Sequence, residues 1–123
     1  DNGEDIALVE IKGTNDNVKS IHVYQADSHR GRREKPENFP SILIINTFIK
    51  SSNSLKEKLR DIEAEQVTLA YRKKVLVMRT IDLLNLLHLK GRRQIDKDKI
   101  TEIFTGKAGW LKVTQESYQS IEA

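Results

Sequence analysis

Short apolar blocks that alternate with segments of helical spacing predict an α/β protein, a central mixed or parallel sheet flanked by helices. Three observations carry this expectation. The blocks Ile6 to Lys12, Ser41 to Asn46 and Val75 to Met78 are apolar on both faces, as in strands covered on both sides. After each block the spacing of apolar residues changes from period two to a helical period. Turn or capping residues stand at the changeovers.

Taken in order, Ile6 to Lys12 places Ile6, Leu8, Glu10 and Lys12 on one face and Ala7, Val9 and Ile11 on the other. Asn2-Gly3 suits a tight hairpin turn entering this strand from an earlier one, and Gly13 to Asp16 ends it. From about Asn17 to Arg30, Val18, Ile21 and Gln25 recur at i, i+3 and i+7, which predicts a helix with Gln25 on its inward stripe. A basic, Pro-punctuated loop follows to Pro40, and then the β-branched strand Ser41 to Asn46.

Ser54 and Glu57 have the spacing of a capping box, so a helix is expected from Leu55, striped by Leu55, Leu59, Ile62 and Leu69. Val75 to Met78 is the third strand. Thr80 then caps a helix that is apolar almost all round through Leu87, implying deep burial, and Gly91 ends it. Asp96 caps a shorter helix with Ile100, Ile103 and Phe104 facing inward, and Ile95 and Ile100 are spaced as a hydrophobic staple. Trp110 to Val113 reads as a last short strand, with Trp110 a packing anchor and a frayed polar tail beyond it.

The 123 residues suit one domain, residues 1–123 with a core of about 5–113, and not two. Apolar residues at 37% are gathered in blocks, which argues against disorder, and charged residues at 32% make the chain soluble. There is no cysteine, which excludes disulfides and thiolate metal sites and fits a reducing, cytoplasmic setting. No apolar run approaches the ~20 residues of a membrane span, and no signal peptide opens the chain. A first residue other than Met, with a strand almost at once, suggests a piece of a larger multidomain protein.

The net charge of +3 does not by itself diagnose a nucleic-acid binder. The cations are clustered, however, at Arg30, Arg32, Arg33 and Lys35, at Arg72 to Lys74, and at Lys90, Arg92 and Arg93. Such clusters neutralise phosphates, although element ends commonly carry solvated Lys and Arg.

Glu10 and Lys12 are charged residues at the end of an otherwise apolar strand, side by side on one face. A carboxylate there is a hard oxygen ligand suited to Mg²⁺. A lysine two residues on suits the stabilisation of a metal-activated water attacking a phosphodiester. An ion pair without chemistry is the plain alternative. His22 and His29, seven apart on the first helix, share a face but have no third ligand, and so read as solvated or phosphate-facing. His88 reads as a boundary residue.

Glu10-Ile11-Lys12-Gly13, then an inward Gln25 on the next helix, then the strand Ile42-Leu43-Ile44-Ile45-Asn46, together resemble the PD-(D/E)xK superfamily of nucleases. More narrowly, they are similar to restriction endonuclease-like domains that occur alone or fused to larger bacterial and archaeal proteins. Val75 to Leu87 resembles the later strand and helix of those domains, so the likeness spans about Ile6 to Leu89. The resemblance implies a restriction endonuclease-like core lacking its first helix and strand. It implies a deoxyribonuclease with Mg²⁺ or Mn²⁺ as cofactor, DNA as partner, and possible homodimer formation.

By the same resemblance Glu10 is a metal ligand, Lys12 the catalytic lysine, and Gln25 a substrate-positioning residue, with Asn46 a weaker candidate. Arg30, Arg32, Arg33, Arg92 and Arg93 are the expected nucleic-acid contacts. The family's second acidic ligand stands on the preceding strand. Here it is either Asp1, nine positions before Glu10, or a residue preceding this sequence. Loss of that acid points instead to a catalytically inactive nuclease-like module for DNA binding or protein docking.

Overall fold

The computed structural model describes residues 5–50 and 54–122. Asp1 and the Asn2-Gly3 turn lie outside the described residues, as does the side chain of Ser54 in the expected capping box. The chain runs β1 (Leu8–Gly13), α1 (Ser20–Arg32), β2 (Ser41–Asn46), α2 (Ser54–Lys58), α3 (Ala64–Arg72), β3 (Val75–Arg79), α4 (Thr80–Gly91), α5 (Lys97–Gly106), β4 (Gly109–Val113) and β5 (Tyr118–Ile121). The five strands lie side by side in sequence order. β1 to β4 are parallel, and β5 turns back antiparallel to β4, so the sheet is mixed, as expected.

Because side chains alternate along a strand, β2, β3 and β4 each feed two cores. Leu43, Ile45, Val75, Val77 and Trp110 pack with Val23 and Ala26 of α1 and Val67 and Ala70 of α3. Ile42, Ile44, Leu76, Met78, Leu111 and Val113 pack on the other face with Leu86 and Leu89 of α4 and Ile103 of α5. Asp96 caps α5 by accepting a hydrogen bond from Lys99 N at 2.8 Å, the cap expected from its position.

The structure departs from the sequence expectations in several places. The cap of α4 is not Thr80, which is the helix's first residue, but Arg79, whose N–H donates to the Asp82 side chain at 2.8 Å. β1 is an edge strand of the described sheet, not a central one: Val9 is 50% and Ile11 75% exposed on the face where α4 and α5 pack farther along the sheet. The buried stripe of α1 is Val23, Ala26 and Arg30, while Ile21 points outward. On α4, Leu86 and Leu89 are buried but Leu84 and Leu87 are exposed, because one face of the helix meets the sheet.

The helix expected from Leu55 through Leu69 is broken between Lys58 and Ala64, and Leu55 and Leu59 are exposed. The Arg79 guanidinium takes the carbonyls of Lys58 (3.5 Å) and Arg60 (3.1 Å), which a continuous helix would use internally. Finally, the tail is not frayed but forms β5. Its turn is held by Thr114, whose N–H donates to Ser117 O at 2.8 Å and whose hydroxyl accepts from Ser117 N at 3.1 Å. Gly109, at φ +98°, permits the pairing, since a Cβ there would stand 2.3 Å from Ile121 O.

Candidate functional site on β1 and α1

Glu10 stands opposite Leu43 and Lys12 opposite Ile45. Both charged residues therefore share the face of the sheet that α1 covers. α1 follows β1 and leads into a parallel neighbour, so it runs back along the strand. Its first turn accordingly lies near Lys12 and its later turns near Glu10.

The side-chain geometry agrees. His29 Nδ1 lies 3.4 Å from Glu10 Oε1, with side-chain exposures of 27% and 19%. The other carboxylate oxygen, Oε2, is buried with no hydrogen-bond partner among the described residues. Glu10 is thus paired with His29 and not with Lys12, contrary to the plain ion-pair alternative. At the start of α1, His22 Nδ1 accepts a hydrogen bond from Lys19 N at 2.9 Å, which completes one of the helix's open caps. Burial lowers the pKa of His22 below its ordinary 6.5, and the positive charges of Lys19 and Lys12 lower it further.

Helical spacing puts His22, Gln25 and His29 on one stripe, at i, i+3 and i+7. Gln25 is half-buried between the two histidines. Glu10 and Lys12 share the β1 face that α1 covers, and Gln25 stands on the α1 stripe that carries His22 and His29. The sequence-predicted trio omits His29, whose spacing of four from Gln25 and seven from His22 puts it on that stripe.

The basic residues divide. Arg30 is only 1% exposed: its guanidinium donates to Phe39 O (2.8 Å), Lys74 O (3.1 Å), Lys73 O (2.6 Å) and Asp27 Oδ1 (2.8 Å). It is spent inside the fold and is not a surface contact. Arg32 and Arg33 are exposed at the end of α1, just past His29. Arg92 and Arg93 are exposed too, but they follow α4, which packs on the opposite face of the sheet from Glu10 and Lys12. Asn46 holds the strand end, accepting from Lys58 Nζ, which also donates to Thr47 O at 2.7 Å.

A hard divalent cation can be tested against these residues. The buried, partnerless Glu10 Oε2 is an oxygen that a cation would satisfy. Mg²⁺ keeps several waters and needs only one or two protein carboxylates, so the donor present fits it. Among the described residues no group of three or more acidic, His or Cys side chains is arranged to hold a metal. Clefts exist elsewhere, one of about 500 Å³ bordered by Tyr24, Glu37 and Arg72 and one of about 540 Å³ bordered by Leu55, Ile81 and Lys112. Neither is lined by Glu10, Lys12 or Gln25.

No protein-family model, no curated protein and no solved structure matches this chain.

Proposed function

We propose that the chain is a metal-dependent phosphodiesterase domain of the PD-(D/E)xK type, cleaving DNA with Mg²⁺ or Mn²⁺. The observation that carries this reading is the buried, unpartnered Glu10 Oε2 on the same strand face as Lys12. A buried carboxylate oxygen without a partner is costly, and a cation ligand is a reason for a fold to keep one. The bound metal would supply an activated water and neutralise charge on the phosphate. Glu10 would contribute the anionic oxygen, and the Lys12 ammonium would stabilise negative charge developing on the phosphate oxygens. Gln25, held on the same seam, offers an amide to orient the substrate.

The test is nicking of supercoiled plasmid in Mg²⁺ or Mn²⁺ by the protein and its Lys12→Ala variant. Cleavage that falls by at least about 100-fold in the variant supports the reading, and equal cleavage by both overturns it.

A second reading is an inactive nuclease-like module that binds DNA or docks a protein, for which the exposed Arg32 and Arg33 at the end of α1 offer phosphate contacts. It predicts salt-sensitive DNA binding without cleavage. Removing Arg32 and Arg33 should then reduce the slope of log affinity against log salt by about 1–2, at about 0.9 per phosphate contact. Removing Arg92 and Arg93, on the opposite face, should leave that slope unchanged.

A further inference from the structure

We infer that the open edge of β1 is a homodimer surface. On it a second copy of this chain adds its own β1 antiparallel, with Ile11 on the two-fold axis and Glu10 opposite Lys12 of the second copy. The inference goes beyond the reading above and holds whether or not the seam carries chemistry.

The hydrogen-bond phase of β1 decides which groups face the edge. Leu8 N donates to Pro40 O at 2.9 Å and Thr14 N to Asn46 O at 3.0 Å, at the two ends of an unbroken parallel register. Bonding alternates along a strand, so Leu8, Glu10, Lys12 and Thr14 turn their N–H and C=O groups to β2. Val9, Ile11 and Gly13 turn theirs to the other side, where no strand among the described residues pairs with them. The helix over this end of the sheet, α1, packs more on β2 than on β1. An edge of this kind is a template for another strand, and proteins blunt it with proline, short length or charge. β1 has no proline over its six residues, and on the face away from α1 it carries the exposed Val9 and Ile11.

Charge complementarity selects a second copy as the occupant. An antiparallel two-fold pairing is self-complementary, and it bonds only where outward-turned residues meet outward-turned residues. With Ile11 on the axis, Ile11 bonds its own counterpart and Val9 bonds Gly13 of the second copy. Glu10 then falls opposite Lys12 of the second copy, twice over. These are the non-hydrogen-bonded positions, where Cα atoms approach to about 4.5 Å and side chains meet most closely. Both side chains are partly exposed. Other registers lose this match. An axis at Glu10 or at Lys12 sets like charges opposite each other, which destabilises a pair of strands. An axis at Val9 sets Glu10 opposite Leu8, and one at Gly13 sets Lys12 opposite Thr14.

The experiment is the solution mass of the chain by analytical ultracentrifugation, with amide hydrogen exchange along β1, for wild type, Lys12→Glu and Glu10→Lys. The expected mass is two chains for wild type and one for each variant, because each variant sets like charges across the axis. An equimolar mixture of the two variants should restore a mass of two chains. The amides of Val9, Ile11 and Gly13 should be protected in wild type and lose that protection on dilution, a readout that needs no variant to fold. A wild type that keeps the mass of one chain up to about 1 mM overturns the inference. Protection of those three amides in such a monomer would assign the edge to another segment of the same chain. A dimer that survives Lys12→Glu unchanged, or a mixture of the two folded variants that stays monomeric, overturns it as well.

Discussion

Asp82 is the most heavily engaged acid in the described structure, and replacing it with asparagine tests how the sheet's second half is held. The side chain is fully buried. Its Oδ2 accepts from Arg79 N (2.8 Å), Arg79 Nε (2.9 Å) and Trp110 Nε1 (3.0 Å), and its Oδ1 from Arg79 Nη2 (2.7 Å) and Val113 N (2.9 Å). An amide of the same shape keeps one acceptor. Placed where least is lost, at the Oδ1 position, its NH₂ meets two donors, and the buried guanidinium of Arg79 loses its counter-charge.

Breaking a buried pair in this way costs about 3–5 kcal/mol, against a total stability of about 5–15 kcal/mol for a domain. At roughly 4 °C per kcal/mol for a chain of this size, the unfolding midpoint should fall by about 12–20 °C. Urea denaturation of Asp82→Asn and of the double variant Arg79→Met/Asp82→Leu gives the comparison. Apolar replacement of a buried ion pair is often neutral. Here the double variant should remain at least about 2 kcal/mol less stable, because Trp110 Nε1 and Val113 N lose their acceptor. A single variant within about 1 kcal/mol of wild type, or a double variant equal to it, would refute the reasoning.

Two further outcomes follow from the β1–α1 seam. Glu10→Gln should leave urea stability unchanged or raise it by up to about 1 kcal/mol, since it removes a buried carboxylate with an unpaired oxygen, and should abolish metal-dependent cleavage; a loss comparable to that of Asp82→Asn would make Glu10 structural. His22, whose pKa is lowered on folding, favours its neutral form in the native state. Its contribution is therefore fully present above the unfolded value of 6.5 and is lost as pH falls from there through the folded value. Thermal midpoints measured from pH 7.5 to 5 should decline more steeply for wild type than for His22→Asn, which retains an acceptor for Lys19 N without titrating, and identical slopes would refute this.

What was legible in the sequence is what depends on neighbours along the chain. β2 and β3 are β-branched, apolar and bounded by turn residues, so their existence needed no partner to be seen. The same alternation put Glu10 and Lys12 on one face, and the register with Leu43 and Ile45 agrees. Features set by distant groups were not legible. The break between α2 and α3 depends on Arg79, about twenty residues on, reaching the carbonyls of Lys58 and Arg60. Arg30 looked like a member of a solvated basic run, and its burial depends on carbonyls at Lys73 and Lys74, 43 and 44 residues away. Tyr118 to Ile121 lacks apolar alternation, and its place in the sheet depends on an edge left open by β4 and on the missing Cβ of Gly109. The edge position of β1 could not be read from its apolar faces, since Val9 and Ile11 look the same in sequence whether covered or exposed.

Two inward-facing acids in one small fold make an internal comparison. Asp82 shows that this chain can surround a carboxylate completely, with five donors drawn from Arg79 at the end of β3 and from β4. That network is directional and saturated, the pattern of a group kept for structure. Glu10 is provided for quite differently. Its Oε1 has an imidazole at 3.4 Å and its Oε2 has nothing, although Lys12 and Gln25 lie along the same seam. Ala, Val or Leu at that position would continue the apolar face formed by Leu8, Leu43 and Ile45 and would leave no polar atom to satisfy. Incomplete satisfaction of a buried charge is the kind of local inconsistency that folds retain at functional positions. The contrast with Asp82 rules out a general inability of this sequence to pair its inward-facing acids. On the metal-dependent reading proposed above, an external positive charge at the seam between β1 and α1 would supply the partner that Glu10 Oε2 lacks among the described residues.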